Sequence, residues 1–411
     1  MRVCVVGSGG REAALAQALA RTADDVVVTP GNAGIPGSVA AGPEEIDADL
    51  FVIGPEVPLV AGLADRLRAQ EKLVFGPGAD GALLEGSKAW MKSVLADAGV
   101  PTARYREFTE PEPAVAFLHS LAPPYVVKTD GLAAGKGVLV TESRAEAGDD
   151  VKAKLAGRTF GDAGRKIVIE EGLSGPELSL LCVCDGERVV PLAPARDFKR
   201  LSDGDSGPNT GGMGAYSPVP VAGPEVVEAI VERAVEPTLA ALRRRGIDYR
   251  GVLYAGLMLT ADGPKVIEYN IRFGDPEAQV VLPRYAGDLT QLLAEAAGGR
   301  VRSEPAWTDR AAVTVVLAAE GYPSAPRAGD VIHGLDVARA LPGVTVFCAG
   351  VARNEGGRLV TAGGRVLNVT ALGADLDEAR RRAYEAVDEI GWQGMQFRSD
   401  IGEQAVQGVR I

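Results

Sequence analysis

Val3-Cys-Val-Val6 is an unbroken apolar run, closed by Gly7-Ser-Gly-Gly10 and followed by a helical pattern from about Arg11 to Ala20. A short apolar run without polar alternation suits a strand covered on both faces, the usual condition of a parallel sheet. Val26–Thr29, Leu50–Ile53 and Val74–Phe75 repeat the strand signal, the last after a helical stretch near Leu59–Gln70. Strands alternating with helices predict an N-terminal parallel α/β domain. One stretch breaks the rhythm. A parallel crossover takes a dozen or more residues and is usually helical, yet Pro36, Gly37, Gly42 and Pro43 oppose a helix within Ile35–Asp49.

The pattern then changes twice. Ser87–Ala98 reads as a helix with Ser87 as its N-cap, and Gly99-Val-Pro101 ends it. Pro124–Lys128, Val138–Thr141, Ile167–Glu170 and Leu178–Asp185 read as strands of a second unit. Pro224–Arg245 is a long helix candidate, and Tyr254–Leu259 with Lys265–Tyr269 forms a hairpin around Ala261-Asp-Gly263. Asp288–Ala297 reads as another helix. Beyond about residue 300, strands at Val313–Ala318, Thr345–Ala349 and Arg365–Thr370 and a helix at Leu376–Ile390 predict a smaller α+β unit.

Composition excludes several chemistries. A net charge of −12 disfavours a broad nucleic-acid surface, which wants a basic field. The four cysteines show no zinc spacing and read as small core residues. Two histidines, His119 and His333, stand outside polar clusters, so triad and zinc-histidine mechanisms are disfavoured. Chemistry therefore rests on lysine, arginine, carboxylates and a hard cation. No apolar run reaches the ~20 residues of a membrane span. Met1–Gly7 leads directly into a strand rather than a signal peptide, so a cytoplasmic protein without membrane or nucleic-acid partners is expected.

Five segments carry candidate chemistry. Val5-Val-Gly-Ser-Gly-Gly-Arg-Glu12 places glycines between a strand and a helix, where backbone amides meet phosphate. Glu12 stands where a dinucleotide fingerprint needs its third glycine, so a nicotinamide site is disfavoured. A phosphate ester and a purely structural turn both stay open. Gly54-Pro-Glu-Val-Pro58 follows a strand, which puts Glu56 at the same sheet edge. Val126-Val-Lys-Thr-Asp-Gly-Leu-Ala-Ala-Gly-Lys-Gly-Val138 is too short between its glycines for a P-loop. It offers Lys128 at a strand end and Lys136 inside the Gly131–Gly137 loop, a form suited to closing over a triphosphate. Glu268, Asn270 and Arg272 alternate onto one face. The carboxylate and amide oxygens suit Mg²⁺, and Arg272 suits a carboxylate or a transferring phosphoryl group. Glu170, Glu171 and Glu177 surround a turn that fits a hinge reading adenine and ribose. Asp197-Phe-Lys-Arg200 and the polar loop Gly207–Tyr216 suit either a small substrate or a disordered surface.

These segments together resemble the ATP-grasp superfamily and, within it, the glycinamide ribonucleotide synthetases (phosphoribosylamine–glycine ligases). The matching pieces include Gly9-Gly-Arg-Glu12, Pro30-Gly-Asn-Ala-Gly34, Glu85-Gly-Ser-Lys88, Gly207-Pro-Asn-Thr-Gly-Gly-Met-Gly-Ala-Tyr216, Arg272-Phe-Gly-Asp-Pro-Glu277 and Gly363-Gly-Arg-Val366. The resemblance implies ATP with Mg²⁺ or Mn²⁺, and glycine and 5-phosphoribosylamine as small-molecule substrates of a monomer. It implies an α/β substrate domain over 1–86, an ATP-grasp domain over 87–300 with a lid near 106–173, and a C-terminal domain over 301–411 packed on the first. By the same carry-over Lys88, Lys128, Gly131, Gly135, Lys136 and Gly137 face nucleotide phosphates, Glu170, Glu171 and Glu177 border adenosine, and Glu268 and Asn270 hold the metal. Gly9, Gly10, Arg11, Glu56, Asn209, Gly211, Gly212, Asp275 and Arg365 are the candidate substrate contacts, with Arg272, Lys136 and Asp197 as candidate catalytic groups. The alternatives are a sister ATP-grasp ligase of another substrate and a nucleotide-binding regulator without turnover. The sequence departs from the family pattern at Ala13 and at Arg196-Asp-Phe198, where histidines are usual.

Overall fold

The computed structural model describes residues 1–132, 137–157 and 165–407. Its first sheet is parallel, with Asp25–Pro30 and Leu50–Ile53 flanking Arg2–Gly7, and Leu73–Phe75 beyond Leu50–Ile53. The expected strands are all present. The helical stretch near residue 60 divides into Glu56–Val60 and Leu63–Ala69, because Gly62 between them adopts a φ of 75°.

Residues 31–49 hold no α-helix, only the 3₁₀ turn Pro43–Glu45. The chain instead folds back along the edge strand. Val28 donates to Gly37 and accepts from Val39, both at 2.9 Å. The Asn32 amide nitrogen then donates to the carbonyls of Ser8 (2.8 Å), Cys348 (3.1 Å) and Ala349 (2.9 Å). Backbone polar groups that a crossover helix would satisfy internally find edge-strand and side-chain partners.

Two antiparallel four-stranded sheets follow. One is built from Tyr105–Phe108, Ile167–Glu171, Tyr125–Thr129 and Val138–Thr141, in that order. Helices Pro111–Leu118 and Arg144–Leu155 pack on it around a separate apolar core that includes Phe108, Leu118, Val127 and Val151. The other runs Val189–Pro191, Glu177–Asp185, Arg250–Thr260, Gly263–Asn270. Cys182 and Cys184 are buried in its core. The long helix after Pro224 is interrupted by a π turn at Val231–Val235. Pro237 has no N–H to donate one turn back, which removes one α-helical bond there; Glu236 bonds Val231 instead.

The last sheet crosses the sequence divisions. Arg196–Asp197 and Gly214–Ser217 pair with each other and then with Ala311–Ala318, Arg365–Gly373 and Val344–Cys348. Helix Leu376–Asp388 buries Ala379, Ala383, Ala386 and Val387. This sheet meets the first helix, Gly10–Leu19, at Gly10. A Cβ on Gly10 would lie 2.2 Å from Asn368 Oδ1 and 2.8 Å from Gln279 Nε2. Both side chains are fully buried, so neither has open space to move into. Gly10→Ala is expected to lower stability by about 1–3 kcal/mol through overpacking, measured by denaturant unfolding. Adding Asn368→Ala should recover part of that loss; equal stability of wild type and Gly10→Ala would show that the seam is loosely packed.

Candidate active site

Helix Lys88–Ala98 is fixed at its N-terminus by two side chains. Ser87 Oγ accepts from Trp90 N (3.1 Å) and donates to Asp130 Oδ1 (3.0 Å). Asp130 Oδ1 also accepts from Ala89 N at 3.1 Å. A carboxylate at a helix N-terminus is favoured by the unpaired amides there, and this one ties the start of the glycine loop to the helix. Lys88 Nζ donates to Gly131 O at 3.3 Å. Burial lowers the Lys88 pKa, while Glu268 opposes the shift. Gly137 closes the loop by accepting from Thr129 N at 2.9 Å. Gly135 and Lys136 lie outside the described residues.

Lys128 is buried, its ammonium 3.0 Å from Glu170 Oε1 and donating to Ile267 O at 3.1 Å. That carbonyl is available because the hairpin is bulged. Gly256 pairs with Glu268 and Leu257 with Val266, so Ile267 is an extra residue without a ladder partner. Glu268, Asn270 and Arg272 are half-buried, alternating with buried Tyr269 and Ile271. A carboxylate and an amide oxygen on one strand face, beside Lys88, form a donor set of hard oxygens. They suit a divalent cation that takes the rest of its shell from phosphate and water.

The expected hinge is largely a set of ion pairs. Glu170 is held below the usual carboxylate range: burial would raise it, but Lys128 and Lys92 outweigh that. Glu171 Oε1 accepts from Arg104 N at 2.9 Å. Glu177 sits 2.6 Å from Lys199, whose charge lowers its pKa. Lys199 also pairs with Asp197 at 3.2 Å. Asp197 is nevertheless pushed up to about 7, by burial first and by Glu277 and Glu177 against the pull of Lys199. Glu277 is buried and accepts from the Tyr254 hydroxyl, which lies 2.8 Å from Ser179 Oγ. Lys92, Lys199, Glu277 and Tyr254 were not among the candidates from sequence. Lys199 and Glu277 lie inside quoted motifs and Tyr254 on an expected strand, but only the contacts made on folding distinguish them from their neighbours.

The Gly7–Glu12 turn lines a cleft of about 550 Å³ with Pro30, Pro55, Arg66 and Asp275. Glu12 fills the place of the missing third glycine. Its carboxylate accepts from Gly9 N and from Arg11 Nε, both at 2.6 Å. A Cβ on Gly54 would lie 2.0 Å from Glu12 Oε1, and one on Gly7 would lie 2.6 Å from Glu12 Cγ. Gly7 and Gly54 therefore make room for a protein carboxylate. Gly10 faces the sheet seam, away from the cleft lining. Arg11 Nη1 donates to Phe273 O at 3.2 Å.

Arg365 closes the other side. Its Nη1 donates to the carbonyls of Asp275 (2.8 Å), Gly212 (3.4 Å) and Gly211, and its Nη2 lies 3.4 Å from the Asp275 carboxylate. Asn209 pairs with Arg200 in a two-stranded ribbon. Arg272 is gripped by Glu85 (2.8 Å) and Glu56 (3.3 Å), and its Nη2 donates to Asn270 Oδ1 at 3.3 Å. Glu56 thus faces Arg272. Ala13 is buried in the first helix, and Phe198 is a core residue against Tyr216 and under the Arg398 guanidinium.

The family model for the phosphoribosylglycinamide synthetase N domain matches residues 1–85, that for its ATP-grasp (A) domain 86–278, and that for its C domain 312–404. The chain belongs to the phosphoribosylglycinamide synthetase family. It is 51% identical to a phosphoribosylamine–glycine ligase of Streptomyces coelicolor, over 98% of this chain and 99% of that one. A Xanthomonas axonopodis ligase of the same name is 48% identical, over 99% and 98%. Among solved structures, the phosphoribosylamine–glycine ligase of Thermotoga maritima superposes with a TM-score of 0.86 at 37% identity, covering 98% of this chain and 100% of that one. The strands Arg196–Asp197 and Gly214–Ser217 fall inside the ATP-grasp match yet complete the sheet of the C-terminal match.

The raised Asp197 pKa has a measurable sign. Between its ordinary 3.8 and about 7 the folded chain binds more protons there than the unfolded chain. Stability from this group therefore falls as pH rises through that window. Thermal melts of Asp197→Asn and wild type should diverge across about pH 4–7, with wild type losing ground as pH rises. Parallel curves would show that Lys199 keeps Asp197 ionised throughout.

Proposed function

We propose that this chain joins glycine to 5-phosphoribosylamine at the expense of ATP, giving glycinamide ribonucleotide, ADP and phosphate. The observation that carries the reading is the continuity of one segment. Residues 268–277 present Glu268 beside Lys88 at one end, with Asn270 on the same strand face, and Asp275 in the Gly7–Glu12 cleft at the other. A single stretch thus joins a phosphate-handling side to an acceptor side, in a chain related over nearly its full length to ligases of that name.

The glycine carboxylate attacks the γ-phosphorus and the bond to ADP breaks, leaving glycyl phosphate. The neutral amine of phosphoribosylamine then attacks the acyl carbon, phosphate departs, and the nitrogen loses its proton. Lys88 and Lys128 oppose phosphate charge, Arg272 orients the anionic groups at the centre, and Arg11 and Arg365 stand beside the acceptor cleft. Glu268 and Asn270 would hold a divalent cation, which when bound offsets charge on the transferring phosphoryl group. Positioning two reactants in one site supplies much of the rate without a histidine base.

ADP release should require both glycine and phosphoribosylamine when substrates are omitted one at a time. Release without either, or with another carboxylate in place of glycine, overturns the assignment. Glu268→Ala should shift the half-saturating Mg²⁺ concentration upward by roughly tenfold or more, since even outer-shell partners of a metal carry that much. An unaltered Mg²⁺ titration removes Glu268 from the metal site.

A further inference from the structure

Lys92 is one helical turn after Lys88 on helix Lys88–Ala98, so both side chains share a face. Its side chain is 0% exposed. The ammonium donates to Thr102 Oγ1 at 2.7 Å, and Thr102 donates onward to Val266 O at 2.6 Å. The Tyr105 ring centroid lies 5.1 Å away. Lys92 Nζ is 3.2 Å and Lys128 Nζ 3.0 Å from the same oxygen, Oε1 of Glu170. Two buried cations thus share one buried carboxylate.

Within that trio one positive charge is in surplus, while Glu171 also acts on Lys92 and Glu177 on Lys128. Burying a second ammonium is costly unless something compensates it, and a one-to-one Lys128–Glu170 pair would have been neutral. The two lysines are held differently. Lys92 is fixed by Thr102, Tyr105 and the helix interior. Lys128 is at a strand end beside the glycine loop, and its hydrogen bond goes to the bulged Ile267 carbonyl. Both ammoniums lie within hydrogen-bond distance of that one oxygen, so they compete for it. Burial and the neighbouring Lys128 push the Lys92 pKa down to about 8, against the pull of Glu170.

We propose that Lys92 is the resident counter-ion of Glu170, and that its role is to leave Lys128 free to turn its charge toward the nucleotide. Without Lys92, Glu170 holds Lys128 as its sole partner. With it, the three-group cluster carries a surplus charge that an arriving phosphate neutralises. Lys92 is a positioning residue acting through Glu170 and Lys128. The inference rests on the reading above that Lys128 faces nucleotide phosphates.

The test is ATP binding to the full chain by calorimetry, with folding checked by circular dichroism, for Lys128→Met, Lys92→Met, Glu170→Gln and the Lys92→Met/Glu170→Gln pair. Lys92→Met should weaken ATP binding about tenfold, equivalent to about 1.4 kcal/mol. The double variant should bind within roughly threefold of Glu170→Gln alone, because without the carboxylate Lys92 has no charge to neutralise. A double variant about tenfold weaker than Glu170→Gln, or a Lys92→Met that binds as wild type does, overturns the proposal. If Lys92→Met does not fold, Lys92→Gln, which keeps a hydrogen-bonding end toward Thr102, takes its place in both arms and is read by the same outcomes. Wild-type affinity in Lys128→Met would instead remove the nucleotide reading of Lys128, and the inference with it.

Discussion

Arg272 is a largely buried cation that touches three parts of the chain. Glu56 reaches it from the N-terminal sheet domain, Glu85 from the helix before Ser87, and Asn270 from its own strand. Burial alone would lower its pKa, but Glu85 and Glu56 more than reverse that. Removing one partner of a buried ion pair typically costs about 3–5 kcal/mol, because the other charge is left uncompensated. The clamp therefore fixes where residues 268–277 run, and with them both ends of the site. Glu85 adds a backbone contact, accepting from Ile271 N at 2.9 Å.

The same logic recurs around that segment. The chain as a whole is acidic, yet the site concentrates Lys88, Lys92, Lys128, Lys199, Arg11, Arg272 and Arg365. Most of these cations are already engaged by carboxylates: Glu170 for two lysines, Glu177 and Asp197 for Lys199, Glu12 for Arg11 and Asp275 for Arg365. Such pairing lets positive charge be buried before any phosphate arrives. Outside the Lys92–Glu170–Lys128 cluster, recognition of an anionic ligand is then an exchange of partners more than a filling of vacant charge.

Much of the fold was legible because it depends on local signals. Apolar runs located the strands, Ser87 and Asp288 capped the helices they precede, and Ala261-Asp-Gly263 turned its hairpin. What the local pattern did not show were features set at a distance or by a single backbone constraint. Gly62 divided one helix and Pro237 placed a π turn in another; the prolines and glycines of Ile35–Asp49 did signal the missing crossover helix, but not the edge-strand and Asn32 contacts that stand in for it. Phe198 looked like an altered substrate residue and is a core residue, since Tyr216 and Arg398 surround it.

The sequence by itself determined the chemistry available: lysines around a glycine loop, hard oxygens alternating on a strand, and almost no histidine. It also determined the family, through motifs spread over the whole length. Only tertiary structure decided which charges neutralise which. The pairs Lys92–Glu170, Glu56–Arg272 and Asp275–Arg365 join residues that are 78, 216 and 90 positions apart. Chain separation says nothing about such pairs, because the interaction acts over a few ångströms and its strength is set by burial that the packed sheets create.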